Sequence, residues 1–219
     1  MHQTVTNLLN IKEQISLSLS KLNIYKIPKI IAVSKTFPLE NILPLIEYGH
    51  DHFGENKVQE AIEKWTDIKI KNKNLKLHLI GKLQTNKVKF AIKLFDYIHS
   101  LDSLKLAKKI SDEQSKLNKI PKLFIQINIG KEEQKSGINM NDLQNFKKEC
   151  LGLGLNILGT MCLPPFNEDP TKYFEQMREI NKENGFNELS MGMSNDYIEA
   201  LNYNSTFLRI GSNIFGKRS

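Results

Sequence analysis

A lysine directly follows an apolar segment near the start of the chain. Residues 30–33 (IIAV) are apolar and rich in β-branched side chains, which favours a buried strand, and Lys35 follows after Ser34. Lysine is rarely buried fully unless it has a partner. Partial removal from water lowers the pKa of a lysine, and a neutral amine can attack a carbonyl carbon to form a Schiff base. Spacing alone leaves a second role open, which is a structural ion pair with a carboxylate such as Glu55.

Two segments near the end of the chain place glycine beside serine. The first is MGMSND (191–196), which contains Ser194, and the second is RIGSNIFG (209–216), which contains Gly211 and Ser212. Glycine lets the backbone approach a ligand closely, and N–H groups at a helix start bind anions. Either serine alone is better explained as a helix N-cap. The two segments together, each at the end of a predicted strand, favour a phosphate site.

These residues are positioned by a regular alternation of predicted strands and helices. An amphipathic helix over residues 4–22 comes first, from apolar positions at helical spacing. The predicted strands lie near 29–34, 52–54, 76–81, 97–102, 122–129, 156–161, 188–192 and 206–211. The predicted helices between them cover 38–49, 56–65, 85–95, 103–117, 141–154, 171–185 and 194–204, and one last helical turn is expected within 213–219.

Eight strands that alternate with helices predict a parallel α/β fold, and their number favours a single TIM-type (β/α)8 barrel with an extra N-terminal helix. An open doubly wound sheet is the alternative, but AVSKTFP (32–38) stands where that fold has its glycine-rich fingerprint. We expect one domain over residues 1–219, with the 1–22 helix packed on the barrel. In such a barrel the site lies at the carboxyl ends of the strands, and the last two loops often hold phosphate.

The barrel would place Lys35 beside the two serine–glycine loops, because the first and last strands are neighbours. A phosphorylated aldehyde such as pyridoxal 5′-phosphate (PLP) would use both features. Arg209 lies within the last predicted strand, and a buried arginine requires a partner. That partner is either a carboxylate at the end of the barrel or a ring nitrogen of the cofactor. In the second case the cation opposes protonation of the ring, which becomes a poorer electron sink.

Composition narrows the class of protein. The net charge is +7, from 31 Lys+Arg against 24 Asp+Glu, and the lysines are spread along the chain, with the densest run at KIKNKNLK (69–76). We interpret this as a solvated surface rather than a nucleic-acid patch, since no aromatic and basic stacking motif accompanies it. Cys150 and Cys162 lack metal-ligand spacing. Without a signal-peptide core or a membrane-length apolar stretch, we predict a cytoplasmic protein that binds neither membranes nor nucleic acid.

The sequence resembles the YggS/PROSC family of PLP homeostasis proteins over nearly its whole length. The matching segments occur in the order and at the spacing of the family: AVSKTFP (32–38), FGENKVQE (53–60), HLIGKLQTNK (78–87), IQINIGKEEQKSGI (125–138), LSMGMSND (189–196) and STFLRIGSNIFG (205–216). The resemblance implies a fold-type III PLP barrel, like the N-terminal domain of alanine racemase. It also implies that Lys35 carries PLP as a Schiff base.

Further site residues are implied by the same resemblance. Ser194, Gly211 and Ser212 would hold the phosphate, and Arg209 would face the pyridine nitrogen. Asn56, in the FGEN segment, would line the pocket near the ring. Met161 begins MCLPPF (161–166), a variant of the family's sixth-strand motif, and is included as a pocket residue. Leu77 stands where the family often has an aromatic residue, which concerns packing rather than cofactor binding.

The resemblance implies a PLP-binding protein of vitamin B6 homeostasis without established catalytic turnover. The alternative is a small PLP-dependent amino-acid racemase. Fold-type III racemases use a second base, a tyrosine from a separate C-terminal domain, and we expect no room for such a domain before Ser219. We therefore expect a monomeric carrier, with PLP-dependent apo-enzymes as candidate recipients. Lys135 follows the fifth strand and either meets the phosphate during entry and exit or is a solvated loop lysine.

Overall fold

In the computed structural model, which describes residues 1–132 and 134–216, eight parallel strands close into a barrel in chain order. The strands are β1 (Lys29–Val33), β2 (His52–Glu55), β3 (Lys76–Leu79), β4 (Tyr97–Leu101), β5 (Lys122–Ile127), β6 (Asn156–Cys162), β7 (Glu188–Met193) and β8 (Phe207–Ile210). The barrel closes where β1 pairs with β8, with Ile31 opposite Arg209 and Ala32 opposite Ile210. The predicted (β/α)8 barrel with an additional N-terminal helix is confirmed.

Helices surround the barrel on the outside. They are α1 (Gln3–Lys21), α2 (Leu39–Glu47), α3 (Val58–Lys71), α4 (Val88–Leu94), α5 (Leu104–Leu117), α6 (Leu143–Gly152), α7 (Thr171–Glu183), α8 (Tyr197–Leu201) and α9 (Ser212–Phe215). The apolar face of α1 contacts α2, α8 and α9, and the Asn7 side chain donates to the Ile214 carbonyl at 2.9 Å. In the described part of the chain, no helix is both long enough and apolar enough to cross a bilayer.

Two apolar layers stabilise the barrel. The layer between strands and helices buries large side chains completely, among them Trp65 and Phe53. The barrel interior is filled by a second cluster, whose buried members are Ile31, Val33, Tyr97, Phe124, Met161 and Phe207. Burial of one such side chain is worth about 1.5–3 kcal/mol. The interior of the barrel is therefore a packed core.

The element boundaries differ from the sequence prediction at informative places. Helix α3 continues through 66–71, and Lys69 of the basic run bonds to Asp96 at 2.6 Å and to the Leu94 carbonyl at 2.7 Å. The run is therefore not wholly a solvated surface. Helix α8 starts three residues later than expected, which leaves 194–196 as a loop. Helix α9 accounts for part of the expected last turn, while 217–219 lie outside the described residues.

We expect Gly159→Ala to weaken the barrel strongly. A Cβ at position 159 would lie 1.6 Å from the Glu188 carbonyl oxygen, so β6 and β7 would have to separate. Overpacking against rigid backbone of this kind should lower the free energy of unfolding by about 3 kcal/mol or more. Urea unfolding measures the change. Gly152→Ala is the matched control, because no other part of the described chain lies within 4 Å of its added Cβ, apart from its chain neighbours and its own helix backbone. Equal stability of the two variants would contradict this packing.

Candidate functional site

A cavity of about 630 Å³ lies at the carboxyl ends of the barrel strands. Its wall brings together six of the site residues that the sequence predicted: Lys35, Asn56, Ser194, Arg209, Gly211 and Ser212. They come from β8 and from the segments after β1, β2, β7 and β8, which are far apart in the chain. Met161 is not among the residues that line this cavity, since it is fully buried in the interior cluster. The structure thus assembles all the predicted residues except Met161 around one space.

The backbone around Lys35 is held in a tight turn. Lys35 is half-buried, and the next residue, Thr36, has a φ of +67°, which is unusual for a β-branched residue. The Phe37 N–H closes the turn by donating to the Ser34 carbonyl at 3.1 Å. The Phe37 ring then stacks on Phe215 of α9, with ring centroids 4.9 Å apart. These contacts fix where the lysine leaves β1 and tie its turn to the loop after β8.

A buried carboxylate anchors the ends of β1 and β2. Glu55 Oε1 accepts hydrogen bonds from Ser34 Oγ at 2.8 Å, Lys64 Nζ at 3.0 Å and Trp65 Nε1 at 2.9 Å. Lys64 also donates to the Ser34 carbonyl at 2.9 Å, directly before Lys35. Glu55 therefore forms its ion pair with Lys64. Through Ser34 and Lys64, Glu55 also positions the turn that carries Lys35.

Ser194 joins the loops after β7 and β8. Its hydroxyl oxygen accepts from the N–H groups of Gly211 at 3.2 Å and Asn213 at 3.4 Å, and the Asn213 side chain donates to the Ser194 carbonyl at 2.8 Å. Neither predicted serine is a helix N-cap: the cap of α8 is Asp196, and α9 starts at Ser212 itself. The N-cap alternative is therefore wrong for both. Two hydroxyls and two backbone donors gather at this end of the cavity.

Arg209 reaches the cavity from inside the barrel. It is 4% exposed, and its guanidinium donates from Nη1 to Ser190 Oγ at 2.6 Å and from Nη2 to the Cys162 carbonyl at 2.8 Å. Burial lowers the pKa of Arg209, and the nearby Cys162 and Asp196 oppose that effect. Burial also raises the pKa of the Cys162 thiol to about 12, so this cysteine is inert. The guanidinium is thus held in place by neutral oxygen acceptors.

Asn56 is positioned by a close approach of two backbones. A Cβ on Gly81 would lie 2.2 Å from the Asn56 carbonyl oxygen, so only glycine allows the segment after β3 to pass this close to Asn56. Gly81 ends the HLIG segment, whose first two residues lie in β3. The segment therefore contributes to the cavity through its backbone, by fixing Asn56 at the wall.

The sequence of this chain is similar to those of known proteins. The family model described as alanine racemase, N-terminal domain, matches residues 7–219. A pyridoxal phosphate homeostasis protein of Pasteurella multocida is 37% identical over 201 residues, which is 87% of this chain and 86% of that protein. The Escherichia coli K12 protein of the same name is 32% identical over 231 residues, covering 100% and 98%. The chain belongs to the pyridoxal phosphate homeostasis protein family.

Solved structures place this family member among known barrels. PipY of Synechococcus elongatus, solved with PLP bound, has a TM-score of 0.81 and 34% identity, and the match covers 92% of this chain and 100% of PipY. An alanine racemase of Clostridium difficile has a TM-score of 0.74 and 17% identity, and the match covers 99% of this chain and 57% of the racemase. The second match shows a shared fold alone. The YggS/PROSC resemblance found in the sequence is confirmed.

The structure adds cavity residues that the sequence analysis of this family member did not single out. Asp196 lies on the wall, and burial raises the pKa of its carboxyl group, against the effects of a Met193 N–H and of Arg209. Phe166 is 87% exposed, and its loop after β6 borders the opening. Lys135, which the sequence analysis did name, also lines the cavity and forms an ion pair with Glu132. Asp196 lies within the MGMSND segment, so its position beside Ser194 was the available signal.

We expect Glu55→Ala to destabilise the fold by about 3–5 kcal/mol, because it leaves Lys64 partly buried without its anion. Urea unfolding, followed by circular dichroism, gives the difference in the free energy of unfolding. Glu60→Ala is the control, since Glu60 pairs with Lys57 on the surface and its loss should cost less than about 1 kcal/mol. A cost for Glu55→Ala as small as that of the control would show that Glu55 does not anchor the turn.

Proposed function

We propose that this chain binds PLP in the cavity at the carboxyl end of the barrel and holds it as a Schiff base on Lys35. The observation that carries the proposal is the shared wall of a half-buried lysine, a buried guanidinium and two serine–glycine loops. The volume of about 630 Å³ falls within the range of roughly 300–1,000 Å³ of small-molecule sites. PipY, a relative at 34% identity, was solved with PLP bound, which supports the same ligand here.

The phosphate end of the ligand is assigned to the loops after β7 and β8. Ser194 and Ser212 offer hydroxyl groups, and the N–H groups of Gly211 and Asn213 already converge on Ser194 Oγ. Such donors suit the oxygens of a phosphate, because hydrogen bonds to a charged acceptor are the strong ones. Cations on the same wall favour a dianionic ligand in the cavity. Among them is Lys135, which we propose meets the phosphate during entry and exit.

The ring end is assigned to Arg209 and Asn56. When bound, PLP supplies an aldehyde and a pyridine ring that accepts electrons. Lys35 binds the aldehyde carbon through its amine, and the carbonyl oxygen leaves as water. Arg209 holds a positive charge at the ring nitrogen, and this charge opposes protonation there. Met161 is left out of the proposed contacts because it is not on the cavity wall.

The biological role that we infer is the maintenance of intracellular PLP rather than turnover of a substrate. The curated relatives at 37% and 32% identity are named for PLP homeostasis. A monomeric, cytoplasmic carrier fits that role, with PLP-dependent apo-enzymes as recipients. An inert neighbouring thiol and a guanidinium that weakens the electron sink both fit storage better than chemistry.

Borohydride reduction tests the assignment of Lys35. After PLP is added, reduction should leave one modified peptide, which contains Lys35, and Lys35→Ala should lose both this modification and the visible absorption band. Lys57→Ala is the control, because Lys57 lies on the surface with 72% of its side chain exposed. Modification of a different lysine, or of none, would refute the assignment.

Alanine distinguishes the carrier from a racemase. We expect the PLP-loaded protein, incubated with either L- or D-alanine, to form no more of the opposite enantiomer than free PLP does. Chiral chromatography measures the product. Racemisation above that background, abolished in Lys35→Ala, would establish the racemase alternative instead.

The phosphate assignment makes a further prediction. Ser194→Ala should weaken binding of PLP by roughly tenfold, because one hydrogen bond to a charged group is lost. Binding of pyridoxal, which lacks the phosphate, should change little. Fluorescence titration with both ligands gives the two affinities. An equal loss for pyridoxal and PLP would place the phosphate elsewhere.

A further inference from the structure

Three histidines inside the barrel form a continuous hydrogen-bonded chain that ends on Arg209. His52 Nδ1 lies 2.8 Å from His78 Nε2, and His78 Nδ1 lies 2.9 Å from His99 Nε2. His99 Nδ1 lies 2.9 Å from Ser190 Oγ, which accepts from Arg209 Nη1 at 2.6 Å. We call His52, His78, His99 and Ser190 the histidine chain. It connects the amino end of the barrel to the guanidinium at the cavity.

The environment keeps these imidazoles neutral. His78 and His99 are fully buried, and their rings stack on Tyr97 at 4.2 Å and on Phe124 at 4.4 Å between centroids. Burial lowers the pKa of His52, His78 and His99, and neighbouring cations act in the same direction. For His52 the carboxylate of Asp51 opposes this shift, and the pKa remains lowered. A neutral imidazole has one N–H donor and one acceptor nitrogen. Each ring must therefore donate on one side and accept on the other.

Arg209 determines the direction of the chain. A guanidinium only donates, so Ser190 Oγ must accept from it. The hydrogen of Ser190 then needs an acceptor, and His99 Nδ1 is the one that the described residues offer. In the opposite order, both neighbours would donate to Ser190, and its own hydrogen would be a buried unsatisfied donor. His99 is thus protonated at Nε2, and the same step repeated gives Nε2–H on His78 and on His52.

We propose that Arg209 imposes one proton order on the histidine chain, with all three imidazoles protonated at Nε2, and that the chain in turn positions Arg209 at the cavity. Every donor in this order points away from the cavity. The Ser190 oxygen is therefore always available to accept a hydrogen bond from the guanidinium. The chain donates no proton toward a ligand bound next to Arg209. His52 Nε2–H, at the far end, points to the side of Asp51, whose Oδ1 lies 3.9 Å away. The effect of this proton order on binding of the PLP ring rests on the proposed function. The proton order itself does not depend on that function.

Nitrogen-15 NMR of the ligand-free protein tests the proton order directly. With ¹⁵N-labelled histidine at neutral pH, long-range correlations from the ring carbon-bound protons identify which nitrogen carries hydrogen. We expect Nε2–H on His52, His78 and His99. An Nδ1–H tautomer or a doubly protonated ring at any of the three would overturn the proposal. No PLP is needed, so this result is independent of the proposed function.

Three serine variants test whether the histidines of the chain are coupled. Ser190→Ala removes the hydroxyl through which Arg209 sets the order, and we expect ring-nitrogen shifts to change at His99 and also at His52, at the far end. Ser100→Ala is the matched control, because Ser100 is equally buried and its hydroxyl has no hydrogen-bond partner among the described residues. Ser190→Thr should restore the wild-type pattern. A change confined to His99 would refute coupling along the chain.

The affinity for PLP tests whether the histidine chain positions Arg209. Ser190→Ala should weaken PLP binding by about tenfold, because Arg209 loses an acceptor, while Ser100→Ala should match the wild type. Full affinity in Ser190→Ala would show that the chain does not position Arg209. A wild-type protein that binds no PLP would instead refute the proposed function, and the NMR tautomers would still decide the proton order.

Discussion

The pairing of β1 with β8 is the constraint on which the cavity depends. It aligns Ile31 with Arg209, and so carries Lys35, just past the end of β1, to the loop that contains Gly211. The approach is close: a Cβ on Gly211 would touch the Val33 carbonyl oxygen at 3.4 Å. Stacking of Phe37 on Phe215 also connects the segment after β1 to α9, which follows β8. An open sheet of the same strands would leave the lysine and the serine–glycine loops at opposite edges.

Most of the fold follows from the sequence because its signals are local. Apolar β-branched runs, helical spacing and glycine at segment ends located every strand, and the count of strands favoured a barrel. The serine–glycine loops could be placed at one end because parallel strands share their carboxyl edge. The ends of the helices and strands were predicted less accurately. Helix α8 starts later than its pattern indicates because 194–196 form the connection to Gly211 and Asn213.

The hydrogen-bond partners of the site residues could not be predicted from local sequence signals. The acceptors of Arg209 come from β6 and β7, and register shifts interrupt the ladders of both strands. Alternation alone therefore does not show which side chains meet inside the barrel. Three neighbouring strands each carry one histidine, in DHFG, LHLIG and YIHSLD, and this was an unused signal for the histidine chain.

Hydrogen bonds explain why a charged group can lie inside the barrel. Arg209 donates to neutral oxygen acceptors. Glu55, at the end of β2, accepts from Lys64 and Trp65 through its Oε1 atom. Charges are thereby distributed so that each has a hydrogen-bonded partner. The cavity receives a guanidinium of fixed orientation and a lysine on a fixed turn, which is the preorganisation that tight binding of a small ligand requires.

A crystal structure of the protein grown with PLP is the most direct measurement. We expect electron density continuous from Lys35 Nζ, phosphate oxygens within hydrogen-bonding distance of Ser194 and Ser212, and the ring nitrogen beside Arg209. PLP bound outside this cavity, or bound in it with the phosphate turned away from the loops after β7 and β8, would contradict the site described above.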